Sequence, residues 1–180
     1  MRGLTFSPCA DLLLSCGSDK TVKVWKGQAE DPSQATAAAL PHLTFAGANA
    51  FLGIDHQKGS GDVTTFGTCG ASLDLWDLSR SSPLSALSWG TASALSLAFN
   101  PVETHTLAST GSDRNIVLYD VRGCQMIRKV ILKMKSNQLS WNPMEAFNFV
   151  GECTPHSLSC AFALFFPLLR GCSIFRNCLL

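Results

Sequence analysis

The chain has 180 residues, 46% of them hydrophobic, 15% charged and 9% aromatic, with a formal net charge of +1. That length suits one ordinary domain and excludes both a multi-domain machine and a stapled mini-protein. A near-zero net charge excludes attachment to nucleic acid by bulk electrostatics, leaving only a local basic patch for that purpose, and a charged fraction below the roughly 25% of soluble domains predicts a chain that needs partners or is poorly soluble.

From the N-terminus, the first apolar cluster is Leu12, Leu13 and Leu14, too short for a secretory h-region, and no Asn-x-Ser/Thr sequon occurs. The eight cysteines fall below the density of a disulfide scaffold, so reduced thiols and an intracellular chain are expected. The first predicted unit reads Leu4 to Pro8, then Leu12 to Cys16, the turn Gly17-Ser18-Asp19-Lys20, then Thr21 to Trp25. Its apolar runs are four to six residues long and punctuated by Gly, Pro, Ser and Asp, which predicts strands. Alternation places Val22 and Val24 on one face and Thr21 and Lys23 on the other. The turn uses Gly for unusual dihedrals and Asp to bond back onto the backbone.

A degenerate second unit follows, with Val63 to Cys69, a Gly70-Ala71 turn, and Leu73 to Asp77. The third repeats the first closely: Leu97 to Pro101, Thr106 to Thr110, Gly111-Ser112-Asp113-Arg114, and Asn115 to Tyr119. A fourth begins at Leu139-Ser140-Trp141-Asn142-Pro143 and runs to Val150. Pro101 and Pro143 are 42 residues apart, and Asp19 and Asp113 are 94 apart, or two units of 47. Four short strands in a period of about 40 to 45 residues, closed by an aromatic residue and Asp, mark a propeller blade. The expected fold is therefore all-β: a partial WD-repeat β-propeller of about three to four blades, with an incomplete ring and units near 1–26, 43–80, 83–122 and 126–150. The first unit is expected to lack its outer strand and the last to lack half its strands. Two apolar end faces would then meet water, predicting an open arc, self-association or chaperone capture.

The stretches FNPVETHTLASTGSDRNIVLYDVR and LSWNPMEAFNF resemble the Sof-like WD-repeat family, and Asn142 to Phe147 are not generic WD residues. The Gly-His dipeptide that opens a typical blade is absent from every unit. The resemblance implies a non-enzymatic scaffold in small-subunit rRNA processing and ribosome biogenesis, in the nucleus and nucleolus. Its implied partners are pre-ribosomal proteins and a small nucleolar ribonucleoprotein, with no membrane and no cofactor. It also implies an alternative, a substrate receptor of a cullin-RING ubiquitin ligase. Asp113, Tyr119, Asp120 and Arg122 resemble the WD-x-Arg box that docks on the ligase adaptor, with Tyr119 in place of Trp. The competing reading is that Asp113 and Asp120 only hold the blade while Arg122 is a solvated loop residue. A weaker copy, Trp76, Asp77 and Arg80, has one residue too many.

Arg122, Arg128, Lys129, Lys133 and Lys135 gather where no acidic residue occurs between Asp120 and Glu145. On an outer strand they would line one rim and meet rRNA phosphates or an acidic protein surface. Alternatively, they guard an edge against sheet-to-sheet aggregation. His42, His56, His105 and His156 are scattered and no nucleophile elbow or phosphate loop is present, so catalysis is not expected. Cys153, His156, Cys160 and Cys172 fit no zinc-knuckle spacing and are expected to be small apolar residues. Residues 151–180 form a hydrophobic, Cys-rich tail expected to lie outside the repeat. They read as the alternative ending of a truncated or differently spliced message, a truncated isoform with no independent function, or as a degradation signal.

Overall fold

The computed structural model describes residues 1–26, 40–59, 63–87, 93–132, 135–146, 148–153 and 159–163. Among these every regular element is a strand, so none of them forms a helix able to cross a membrane. Four antiparallel sheets follow one another along the chain. The first holds β1 (Gly3–Phe6), β2 (Leu12–Cys16), β3 (Thr21–Lys26) and β4 (Leu43–Ala46). The second holds β5 (Phe51–His56), β6 (Thr65–Gly70), β7 (Leu73–Asp77) and β8 (Ser85–Ala86). The third holds β9 (Ala94–Phe99), β10 (Thr106–Gly111), β11 (Asn115–Asp120) and β12 (Gln125–Ile131). The fourth has β13 (Ser136–Trp141), β14 (Asn148–Cys153) and β15 (Ser159–Ala163). The first strands of successive sheets lie side by side, β1 by β5, β5 by β9 and β9 by β13, while among the described residues no comparable contact joins β13 to β1. This is an open arc of propeller blades.

Two expectations are corrected. The first sheet does not lack its outer strand: Val22 and Val24 of β3 pair with Phe45 and Leu43 of β4. By the same logic β8 and β12 close the second and third sheets, so each sheet takes in a strand that the repeat phrasing assigns to the next unit. Nor does the fourth sheet stop at Val150. Gly151 and Glu152 continue β14, and β15 pairs with it from Asn148↔Ala163 to Glu152↔Ser159, so part of the apolar tail supplies a third strand.

The repeated phrases have specific work. After β1 and β9 the chain turns on a Ser or Asn before Pro: Ser7 Oγ accepts from Leu12 N at 3.1 Å, and Asn100 Oδ1 accepts from Val102 N and Glu103 N, each at 2.9 Å. In the Gly-Ser-Asp turns, positive φ falls on Lys20 (62°) and Arg114 (64°), not on the glycines as the sequence suggests. Gly17 and Gly111 are needed for space instead, because a Cβ at either would collide with the carboxylate of Asp19 or Asp113. Asp19 Oδ2 accepts from Thr21 Oγ1 at 2.7 Å, and that bond holds its carboxyl below the ordinary range. Asp113 accepts from the Asn115 amide.

Packing between sheets follows one rule. In the second sheet His56, Phe66 and Trp76 stand directly opposite one another across β5, β6 and β7. Phe66 and Trp76 stack at 6.1 Å, and Phe45 of the first sheet meets both edge-on at 5.4 and 6.0 Å. The matching row in the third sheet is Phe99, Leu107 and Tyr119, buried against Cys69, Leu73, Leu75 and Leu87 of the second. In the fourth sheet Trp141 and Phe149 pack on Ala108, Ile116 and Leu118 of the third. In the first three sheets an aromatic of the row is fixed by a neighbouring hydroxyl: Trp25 Nε1 donates to Ser15 Oγ and Trp76 Nε1 to Thr68 Oγ1, both at 2.9 Å, and Tyr119 bonds with Ser109.

Polar clasps cross the same seams. Asp55 of β5 accepts from Thr5 Oγ1 in the first sheet at 3.1 Å and from Phe99 N in the third at 2.8 Å. Gln57 Nε2 donates to Thr104 O at 2.8 Å, Asn100 Nδ2 to Ala146 O at 2.5 Å, and Trp141 Nε1 to Ala98 O at 2.9 Å. Burial raises the Cys16 thiol to about 11 and the Cys69 thiol to about 12, keeping both neutral inside the seams.

Asp55→Ala is expected to cost about 2–3 kcal/mol in chemical denaturation, since it strands the Phe99 amide, and to speed hydrogen exchange at that amide; unchanged exchange would refute the clasp. Alkylation followed by peptide mapping should label exposed Cys9 and Cys124 in the native chain, and Cys16 and Cys69 only after unfolding. Because the buried thiols are raised in the fold, their contribution is fully present below the unfolded value of 9.0 and is lost as pH rises through about 11 for Cys16 and about 12 for Cys69. Native-state labelling of Cys16 or Cys69 at pH 8 would contradict this.

Candidate functional site

Of the box residues, the structure joins two. At the end of β11, Asp120 Oδ1 accepts from Arg122 N at 2.9 Å and lies 3.6 Å from Arg122 Nε. The Arg122 side chain is 70% exposed and Asp120 half as much, so the pair sits in open solvent at the β11–β12 turn. Tyr119 is instead buried between the second and third sheets, with burial pushing its phenol above the ordinary value. Asp113 lies in the turn at the other end of β11, roughly 20 Å away at about 3.3 Å per residue. The weaker copy is engaged in its own turn. Asp77 Oδ1 accepts from Ser79 N at 2.8 Å and Ser79 Oγ at 2.7 Å, bonds that hold its carboxyl below the usual range, while Arg80 N donates to Asp77 O at 3.0 Å.

The basic residues occupy the outer strand of the third sheet and its flanks. Arg128 stands opposite Leu118 and Lys129 opposite Val117, so these neighbours project to opposite faces of β12. Arg122 lies before the strand and Lys135 after it, both exposed, and Lys133 lies outside the described residues. The charges therefore run along an edge.

Other surfaces are not legible in the sequence as sites. A groove of about 730 Å³ runs between the first strands of all four sheets, lined among others by Leu4, Ile54, Asp55, Phe99, Gln138 and Trp141. Lys58 Nζ reaches Asp55 Oδ1 there at 3.0 Å. None of the repeat phrases signals this groove, because it exists only once the sheets are side by side. His56 is wholly buried and burial lowers its pKa, so the imidazole is neutral and its Nδ1 donates to Gln57 O at 3.0 Å. Among the described residues no three His, Cys, Asp or Glu side chains cluster as metal ligands. His156, Cys172 and the side chains of Cys153 and Cys160 lie outside the described part.

The free face of the first sheet carries the same cross-strand row as the others, Phe6, Leu13 and Trp25, with no described sheet in front of it. Phe6 is 60% exposed. At the other end of the arc Val150 is also exposed.

The WD domain, G-beta repeat family matches residues 1–26. Over 149 residues the chain is 44% identical to "DDB1- and CUL4-associated factor 13" of Xenopus tropicalis, covering 83% of this chain and 32% of that protein. It is 44% identical over 155 residues to "Protein SOF1" of Saccharomyces cerevisiae, covering 82% and 31%. Against "Protein sof1" of Schizosaccharomyces pombe it is 40% identical over 158 residues, covering 88% and 33%. The chain thus spans about a third of the length of these relatives.

Phe6→Asp should lower binding of a fluorescent apolar dye while leaving the denaturation midpoint within about 0.5 kcal/mol, since it removes exposed area only. A large loss of stability would show that this face is covered.

Proposed function

We propose, from the premise that the chain belongs to the Sof-like WD-repeat family, that it is a non-enzymatic scaffold module in small-subunit rRNA processing and ribosome biogenesis, acting in the nucleus and nucleolus. The observation that carries this reading is the clasped arc itself. Asp55, Gln57, Asn100 and Trp141 tie successive sheets together, so that turns, edges and the axial groove are presented in fixed relation. A rigid frame with many exposed turns suits simultaneous contact with several large partners. Pre-ribosomal proteins and a small nucleolar ribonucleoprotein are the partners this reading requires.

One observation favours a second reading, docking on the adaptor of a cullin-RING ligase. Asp120 and Arg122 form an exposed, backbone-anchored ion pair at a strand end, and relatives bear the name "DDB1- and CUL4-associated factor 13". Because Tyr119 is buried and Asp113 distant, only Asp120 and Arg122 of the box are available to a partner at that turn.

For the scaffold, gradient sedimentation of the tagged chain from cell extract should place it with large pre-rRNA particles, and recovery solely in light fractions would overturn the assignment. For adaptor docking, Arg122→Ala should weaken capture by the purified adaptor about three- to tenfold, as expected for one exposed charge at an interface rim. Unchanged capture would remove this turn from the docking surface.

A further inference from the structure

The outer strand of the third sheet combines three features found together nowhere else among the described residues. First, β12 pairs with β11 on one side only, and no described strand pairs with the other. Leu132 N donates inward to Arg114 O at 2.8 Å. Peptide groups alternate in direction along a strand, so the N–H and C=O of Lys129 and Ile131 point outward as an open ladder. Second, that edge is basic on both faces, with Arg128 and Lys129 exposed and no acidic residue between Asp120 and Glu145. Third, it is apolar between the charges: Ile127 is 48% exposed and Ile131 is 51% exposed. A strand edge that only resisted aggregation would not display two half-exposed isoleucines beside its lysine.

The geometry points to β12 as a strand-addition site for an extended acidic peptide in which pairs of adjacent carboxylates alternate with pairs of β-branched residues. Such a peptide would continue the sheet through the outward groups of Lys129 and Ile131. Adjacent carboxylates on its two faces would meet Lys129 and Arg128, while an apolar side chain two residues along would cover Ile131. A polynucleotide offers phosphates to the same charges but has no peptide ladder and nothing to cover the isoleucines. The inference stands on the strand itself and does not depend on the particle or ligase to which the chain belongs.

Fluorescence anisotropy on the full 180-residue chain with a labelled peptide of two Glu-Glu-Val-Val repeats tests it, with a peptide of two Lys-Lys-Val-Val repeats, an all-glutamate peptide of equal length and a single-stranded oligouridine as competitors. The Glu-Glu-Val-Val peptide should bind, and the double variant Arg128→Glu, Lys129→Glu should weaken it about tenfold. Ile131→Pro removes an outward N–H without touching the inner ladder, as proline is tolerated at such an edge position. It should abolish binding where Ile131→Ala lowers it only a few-fold, with both variants retaining the circular dichroism of the parent chain. Equal binding by Ile131→Pro and Ile131→Ala would overturn strand addition, as would competition by the all-glutamate peptide or oligouridine as strong as that of unlabelled Glu-Glu-Val-Val peptide.

Discussion

The structure depends on a recurring seam. A four-stranded sheet of this size has two faces and too few residues to bury either alone, so the apolar row on one sheet must find the face of the one before it. Phe66 and Trp76 do this against Phe45, Phe99 and Leu107 against Leu73 and Leu75, and Phe149 against Ile116 and Leu118. Apolar burial at these seams is non-directional and would tolerate sliding. The clasps from Asp55, Gln57, Asn100 and Trp141 supply the direction, since each hydrogen bond is satisfied in one registration only. Seam and clasp together make a frame in which turn residues far apart in sequence hold fixed positions, which is the physical content of a scaffold.

The same logic accounts for what is exposed. Phe6, Leu13 and Trp25 repeat the row that is buried in the other sheets, so the end of the arc presents the kind of row that elsewhere packs on a sheet. The outer edge of the third sheet, at β12, differs. There the side chains are mixed, charged and apolar by turns, and the exposed groups include peptide N–H and C=O. An apolar end face suits another sheet, whereas a charged edge suits an extended chain, so the two surfaces select different kinds of partner.

Much of this was legible in the residues. The strands and hairpins of the first and third sheets follow from Gly-Ser-Asp and Ser/Asn-Pro phrases, because Ser7 and Asn100 bond the backbone they turn while Asp19 and Asp113 bond the side chain two residues on. The assignment of β4, β8 and β12 was not, because an outer strand is separated from its own hairpin by a loop of variable length, and the phrase that follows it is more conspicuous. Glycine invites a reading by dihedral freedom when its role at positions 17 and 111 is to leave room for a carboxylate, a distinction that only the folded-back Asp reveals. The clasps of Asp55 and Gln57 carry no local signal, since their partners in the neighbouring sheets lie 44 to 50 residues away. Likewise the box at Asp113 to Arg122 reads as one motif along the chain, yet β11 separates its ends and turns Tyr119 inward. The tail after Val150 looks foreign by composition, but strand pairing asks for backbone groups above all, and β15 supplies them.

The central claim, that consecutive sheets are held by apolar rows packed on the face before, is tested most directly by a double-mutant cycle on Phe45→Ala and Phe66→Ala, whose rings meet edge-on at 5.4 Å across the first seam. A coupling of about 0.5–1.5 kcal/mol in denaturation free energies is predicted for such an aromatic pair. Strict additivity of the two substitutions would contradict the account, because it would mean that β4 and β6 do not face each other across a common seam.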